Sequence, residues 1–312
     1  GKLYPNSNPF NYKRLELDEF PSCYDAATRL IRSPISLGGQ LLKIPITMCH
    51  GIRPDKVNPL TVERLDALIK IASDLGLHSV DYDELAAWRK GSGDLPSRPI
   101  MLDFDHAVRS MRYEVSEVLD RYGYKGNLFI YTAPLDPDYA GPTLGTSDNQ
   151  EFMTWSEIRE LVEAGWHVGA HTVSHPNLSE LSLKDQTGRR LRDELDRCNE
   201  VIQANLGFRP KDFAFTGISW SSIAEKEVKK RYRFGRLWIT GSKYKVDGKT
   251  IRYADLVGAA GVDEEDGGPP GAARYITRDS DPYRLPSMEF QALIYEPEAF
   301  RLYLEGALED DG

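Results

Sequence analysis

The chain has no long apolar run, no basic excess and few cysteines, and each shortage removes a class of function. No stretch approaches the ~18 consecutive apolar residues of a membrane-spanning helix, so no transmembrane segment is expected. The opening residues lack the charged-then-apolar pattern of a secretory signal; a soluble protein is expected, either cytoplasmic or exported with its signal removed. Acidic side chains outnumber basic ones, 48 to 39, and the formal charge of −9 offers no footprint for nucleic acid. The three cysteines, Cys23, Cys49 and Cys198, form no Cys-x-x-Cys pair and cannot all pair with one another, which argues against a disulfide framework. They read as buried thiols. A nucleophilic Cys49 beside His50 stays open, although adjacent strand residues point to opposite faces.

What is present is an alternation of strands and helices. After an irregular, proline-bearing extension over residues 1–40, "LLKIPITMCHG" reads as a buried strand, and "TVERLDALIKIASDLG" as an amphipathic helix capped by Thr61 and closed at Gly76. The rhythm continues with the strand "RPIMLDFD", a helix over 109–123, the strand "GNLFIYTA", a capped helix over 154–165 and the strand "WHVGAHT". One long helix is expected from about Leu183 to Leu206, then the strand "DFAFTG", the helix "SIAEKEVKKRY" and strands at "FGRLWITG" and "YRLPSMEF". This order implies an α/β fold with a parallel sheet or, as first choice, a (β/α) barrel forming a single domain over 41–312. Two Gly-, Pro- and acid-rich stretches, 134–150 and 258–282, break the rhythm and read as functional or mobile loops.

Four of the six histidines fall where a predicted strand ends: His50, His106, His171 and His175. In parallel α/β folds and barrels, sites are built at those ends. "HTVSH" places His171 and His175 so that one backbone turn could close both on a metal, with Thr172 and Ser174 available to orient the rings. The alternative is two ordinary polar histidines on a turn. In "LDFDHA", Asp105 and His106 end a strand and Asp103 shares a face with Asp105; a carboxylate there suits a general base, or merely a helix cap. His78 and His167 carry no functional signal, and His50 on these grounds alone reads as structural.

These residues resemble the polysaccharide deacetylases with a NodB-homology domain, carbohydrate esterase family 4, over roughly residues 44–290. The resemblance is sharpest in "FMTWSEIRELVEAGWHVGAHTVSHPNLSEL", which is similar to the family's His-Ser/Thr-x-x-His motif and its preceding helix. It implies a distorted (β/α) barrel of the NodB type. The family's Thr-Phe-Asp-Asp-Gly motif aligns with "DFDHA" in two registers. In the first, Asp105 is the base, His106 replaces the second Asp as metal ligand and Ala107 the glycine, so that His106, His171 and His175 hold one divalent ion, Zn2+ by ligand type. In the second, Asp105 becomes the ligand and the base is missing.

No histidine follows His175 to serve as the family's late general acid. "PITMCHGI" resembles the segment opening the permuted branch, the poly-N-acetylglucosamine deacetylases, where an early histidine takes that role, which makes His50 a catalytic candidate. The family's arginine motif has no clear counterpart; Arg209 matches only in type, and "FAFTG" lacks the branch's proline. The implied activity is metal-assisted hydrolysis of an N-acyl group, most naturally N-acetyl, on an amino sugar or polysaccharide. Alternatives are another amide C–N bond, such as a formyl sugar or a cyclic amide, or a NodB-like protein that binds metal and carbohydrate without turnover. Trp220, Trp238 and Tyr244 are core or rim aromatics that could also stack on sugars.

Overall fold

The computed structural model of the protein describes residues 42–52, 60–142, 151–239, 243–257, 274–290 and 294–309. The extension expected over 1–40, Cys23 and large parts of the two irregular loops lie outside the described residues. In chain order the elements begin β1 (Ile44–Cys49), α1 (Val62–Asp74), β2 (His78–Ser79), α2 (Tyr82–Lys90), β3 (Pro99–Asp105), α3 (Ser116–Arg121), β4 (Asn127–Ile130), α4 (Trp155–Glu163), β5 (His167–Ala170) and α5 (Leu178–Lys184). They continue with α6 (Arg189–Leu206), β6 (Asp212–Ala214), β7 (Ser219–Trp220), α7 (Ser222–Lys229), β8 (Phe234–Ile239), β9 (Lys243–Val246), β10 (Lys249–Arg252), α8 (Tyr253–Val257), β11 (Tyr275–Ile276), β12 (Leu285–Glu289) and α9 (Pro297–Leu308).

Seven of the strands close into a parallel ring in the order β1-β3-β4-β5-β6-β8-β12, with β12 returning to β1. The expected barrel is therefore what the chain forms. Strand alternation explains its two kinds of core. On β3, Ile100, Leu102 and Phe104 face outward into the large cluster beneath the helices, whereas Met101, Asp103 and Asp105 face the lumen. Helix α2 contributes Tyr82, Leu85, Ala86 and Trp88 to the same cluster as Ile44, Ile46, Met101, Phe129 and Phe234, an apolar plug at the amino-terminal ends of the strands.

The sequence reading needs four corrections, each with a local cause. The helix expected over 183–206 is two helices, because Asp185 accepts bonds from the backbone N–H groups of Thr187 and Arg190 and Gly188 adopts φ 68° at the start of α6. The 109–123 helix enters through a π-helical turn, Met111–Val115, before becoming α3. Helix α2, absent from the expected rhythm, starts with a full capping box between Asp81 and Glu84. On either side of β8 the chain contributes strands to an unexpected three-stranded accessory sheet, β10-β9-β7.

Gly169, the middle residue of β5's lumen-facing column, lies across from Phe129. A Cβ there would press into the Phe129 ring and lie 3.0 Å from the Asp212 carbonyl oxygen. Gly169→Ala is expected to destabilise the protein by about 1–3 kcal/mol through overpacking, read from the shift of the urea midpoint; an unchanged midpoint would show that the ring can move aside.

Candidate metal and acid–base site

On six of the seven barrel strands the lumen-facing column ends in a polar or aromatic residue at the carboxyl end of the ring. β1 delivers His50, β3 Asp105 with His106 just after it, β4 Tyr131, β5 His171, β8 Trp238 and β12 Glu289. Their proximity follows from barrel closure. The rings of His50 and His106 have centroids 4.5 Å apart, His106 and His175 4.6 Å, His171 and His175 4.8 Å, and Tyr131 stands edge-on 4.9 Å from His106.

His106, His171 and His175 each offer a ring nitrogen, all within 4.8 Å of one another, and the Nε2 atoms of His106 and His175 are 3.0 Å apart. Tetrahedral zinc with nitrogen at ~2.0–2.1 Å spaces its ligands at about 3.3 Å, so the trio is nearly at coordination distance. Nδ1 of His171 pairs with the Ala214 carbonyl oxygen at 2.8 Å, which fixes that nitrogen as the N–H; buried Nε2 then carries a lone pair and, among the described residues, accepts no hydrogen bond, with Asp105 Oδ2 3.9 Å away. Burial, the largest cause, lowers the pKa of His171 and drives that of His175 well below its usual value, with His171 and His50 adding to the fall at His175. Both rings are therefore neutral lone-pair donors, and the donor set fits a divalent ion.

The loops bearing these rings hold unusual backbone. His106, Ala107, Thr172 and His175 all have positive φ, at 83°, 59°, 71° and 59°. Such conformations cost non-glycine residues about 1–2 kcal/mol each and persist only where the surroundings fix them. Thr172 and Ser174 serve the backbone and not the rings: Thr172 Oγ1 accepts the His175 N–H at 3.1 Å, and Ser174 bonds to Glu194. The ring of His171 is oriented instead by Ala214.

Asp105 does not cap a helix. It lies in the lumen against Arg236, a fully buried side chain of β8 whose Nη2 donates to its carboxylate. The same guanidinium reaches Asp103 at 3.2 Å and donates to Ser287 Oγ at 3.2 Å, and it lies over the Phe129 ring. Burial raises the pKa of Asp105, but Arg236, followed by His171 and His50, outweighs it and leaves the carboxyl below its ordinary value, hence ionised. His50, also buried, has its Nδ1 4.0 Å from Glu289 and its ring 5.0 Å from Trp238.

Other candidates fall away from this centre. Arg209 pairs with Asp196 at 3.6 Å near the opposite end of the barrel, where His167 bonds to Asp212. His78 is exposed on its short strand. Cys49 and Cys198 are buried thiols, the latter pushed up to about 12 by burial. Trp220 and Tyr244 are buried in the outer core, leaving Trp238 beside the histidines. Arg236, Tyr131 and Glu289 were not anticipated from sequence; the signal for Arg236 was a lone charge inside the apolar strand "FGRLWI".

Comparisons with known proteins bear on the family and the fold. The family model described as polysaccharide deacetylase matches residues 92–232, which include Asp105 and all three clustered histidines. Over this segment the chain resembles the polysaccharide deacetylase family. The fold of the whole barrel is shared with the deacetylase PplD of Streptococcus pyogenes, solved in complex with acetate (TM-score 0.59, 15% identity, 86% of this chain and 99% of that one). It is likewise shared with IcaB from Ammonifex degensii (TM-score 0.61, 14% identity, 86% and 99%). YxkH of Bacillus subtilis (strain 168), named for the same deacetylase family, is 21% identical over 144 residues, 46% of this chain and 47% of its own. The alignments span less than half the length of the curated relatives the chain matches. Among the described residues, no helix is long and apolar enough to cross a membrane.

Asp103, the deeper carboxyl, behaves oppositely to Asp105: burial pushes it up to about 7, against the pull of Arg236 and the Tyr82 hydroxyl, with Asp105 pushing it up again. An acid with a raised folded pKa binds its proton more tightly when folded. Its contribution therefore favours folding below its unfolded value near 4 and is lost as the pH rises from about 4 to about 7. In denaturant titrations of metal-free protein, Asp103→Asn is expected to gain on wild type across that interval; parallel curves would show that Asp103 does not titrate there.

Proposed function

We propose that the protein is a metal-dependent hydrolase that removes an N-acyl group, N-acetyl by preference, from an amino sugar or polysaccharide. The observation that carries this reading is the convergence of three imidazoles and one ionised, arginine-paired carboxylate at the carboxyl end of a barrel whose sequence matches the deacetylase family. His106, His171 and His175 would hold one divalent ion, best matched by Zn2+, which when bound supplies Lewis acidity toward an acyl oxygen and a water of lowered pKa.

The chain's own residues account for the proton traffic. Asp105, kept ionised by Arg236, takes the proton of the attacking water. His50, on the other side of His106 and near Glu289, donates a proton to the departing amine nitrogen as the C–N bond breaks. Tyr131 and Trp238 form apolar walls at the centre, the kind of surface on which a sugar ring packs. Acetate, seen in the complex of PplD, is the acid such a reaction releases.

One feature supports the register in which Asp105 is base and His106 ligand: the three histidine ring nitrogens lie within 4.8 Å of one another, whereas the Asp105 carboxylate is engaged by Arg236 and reaches His171 Nε2 only at 3.9 Å. Metal-binding without turnover is the competing reading, motivated by the absence of a histidine after His175. His50, whose ring lies 4.5 Å from that of His106 and whose Nδ1 is 4.0 Å from Glu289, is the histidine that would take this role, which supports the hydrolase reading.

The test is elemental analysis paired with acetate release from N-acetylglucosamine oligomers. Wild type is expected to carry about one zinc per chain; His106→Ala should lose it, and Asp105→Asn should keep it while losing about 100- to 10,000-fold in rate. Zinc kept by His106→Ala and lost by Asp105→Asn would select the other register. Zinc present with no release from any acyl sugar would favour the binding protein.

A further inference from the structure

Glu194 lies on α6, outside the barrel, and takes no part in the chemistry above. Its carboxylate nevertheless receives three bonds from the short loop joining His171 to His175. Oε2 accepts the backbone N–H groups of Val173 and Ser174, each at 2.9 Å, and Oε1 accepts the Ser174 hydroxyl at 2.6 Å. The loop is the strained one: Thr172 and His175 on either side of these donors are left-handed, at φ 71° and 59°.

We propose that Glu194 is a positioning residue that holds the His171–His175 loop in its metal-binding shape, so that affinity for the ion is set partly from the outer helix layer. The inference rests on the metal reading proposed above. The physical argument is one of over-determination. Two successive backbone N–H groups converging on a single carboxylate oxygen fix the peptide planes between the two ligands, and His175 can then present Nε2 toward His106 only in the one loop conformation. Without the carboxylate, the two N–H groups lose their acceptor and the left-handed residues are free to relax toward ordinary backbone. The imidazole of His175 would swing with them, whereas His171, tied to Ala214, would stay. Nothing in this role requires the carboxylate to touch substrate or ion.

The experiment measures zinc affinity by competition with a chromophoric chelator, alongside the thermal midpoint of the metal-free protein, for wild type, Glu194→Ala, Glu194→Gln, Ser174→Ala and, as control, the exposed neighbour Asp193→Ala. Loss of an outer partner of a metal ligand typically weakens binding about 10- to 100-fold, and that is the expected result for Glu194→Ala. Glu194→Gln should recover most of it, because the amide oxygen can accept both N–H groups while its NH2 turns to the Ser174 hydroxyl. Ser174→Ala should cost less than Glu194→Ala, and Asp193→Ala nothing. A purely structural role would lower the metal-free midpoint and leave affinity untouched, which would overturn the proposal. If Glu194→Ala does not fold, Glu194→Gln and Ser174→Ala decide: both matching wild-type affinity overturns the proposal, and a graded loss in Ser174→Ala supports it. Absence of zinc from wild type overturns the metal reading and this one together; zinc in wild type with equal affinity in Glu194→Ala overturns only this one.

Discussion

The lumen of this barrel depends on one buried cation. Arg236, without exposed surface, reaches from β8 across the lumen to Asp103 and Asp105 on β3, a strand with which β8 does not pair. Removing one partner of such a buried set commonly costs 3–5 kcal/mol because the remaining charge is stranded, whereas the intact set adds little net stability. Its value here is division of labour. The two carboxyls share one guanidinium, and the deeper one, more desolvated, holds its proton more readily, so the negative charge is concentrated on Asp105, the carboxyl beside the histidines.

In the proposed reaction two tasks fall to different parts of the backbone. Coordination would fall to rings on loops with left-handed residues, where backbone can bend sharply. Proton transfer would fall to Asp105, the last residue of β3, and to His50, just past the end of β1. Tyr131 stands edge-on against His106 and His175, and Trp238 against His50.

Much of this was legible in the sequence. The strand-end placement of His50, His106, His171 and His175 follows from the apolar runs that precede them, and the barrel follows from strand–helix alternation, both local signals. What was not legible depends on contacts distant in sequence. Arg236 and Asp105 are 131 positions apart, and no local pattern says which acid a lone arginine in an apolar strand will meet. The role of Thr172 and Ser174 was misread because sequence gives neighbours, not the direction in which a hydroxyl points; both turned to backbone and helix. The break between α5 and α6 was signalled by "KDQTG" but outweighed by the helical periodicity around it.

Ring closure has a consequence for how the protein comes into being. β1, among the earliest strands of the ring to be synthesised, pairs with β12, the last, so the barrel stays an open sheet until residues 285–289 have left the ribosome. Through that interval the open edges of β1 and β8 present unpaired backbone, and the guanidinium of Arg236 and the carboxyls of β3 face a wet, widened lumen. The histidine-lined end of the lumen is therefore closed last and at once, by the arrival of a strand that supplies it with Glu289. A nascent chain stalled before that strand would hold every histidine of the site and still be a sticky, unfinished sheet, the kind of species chaperones retain.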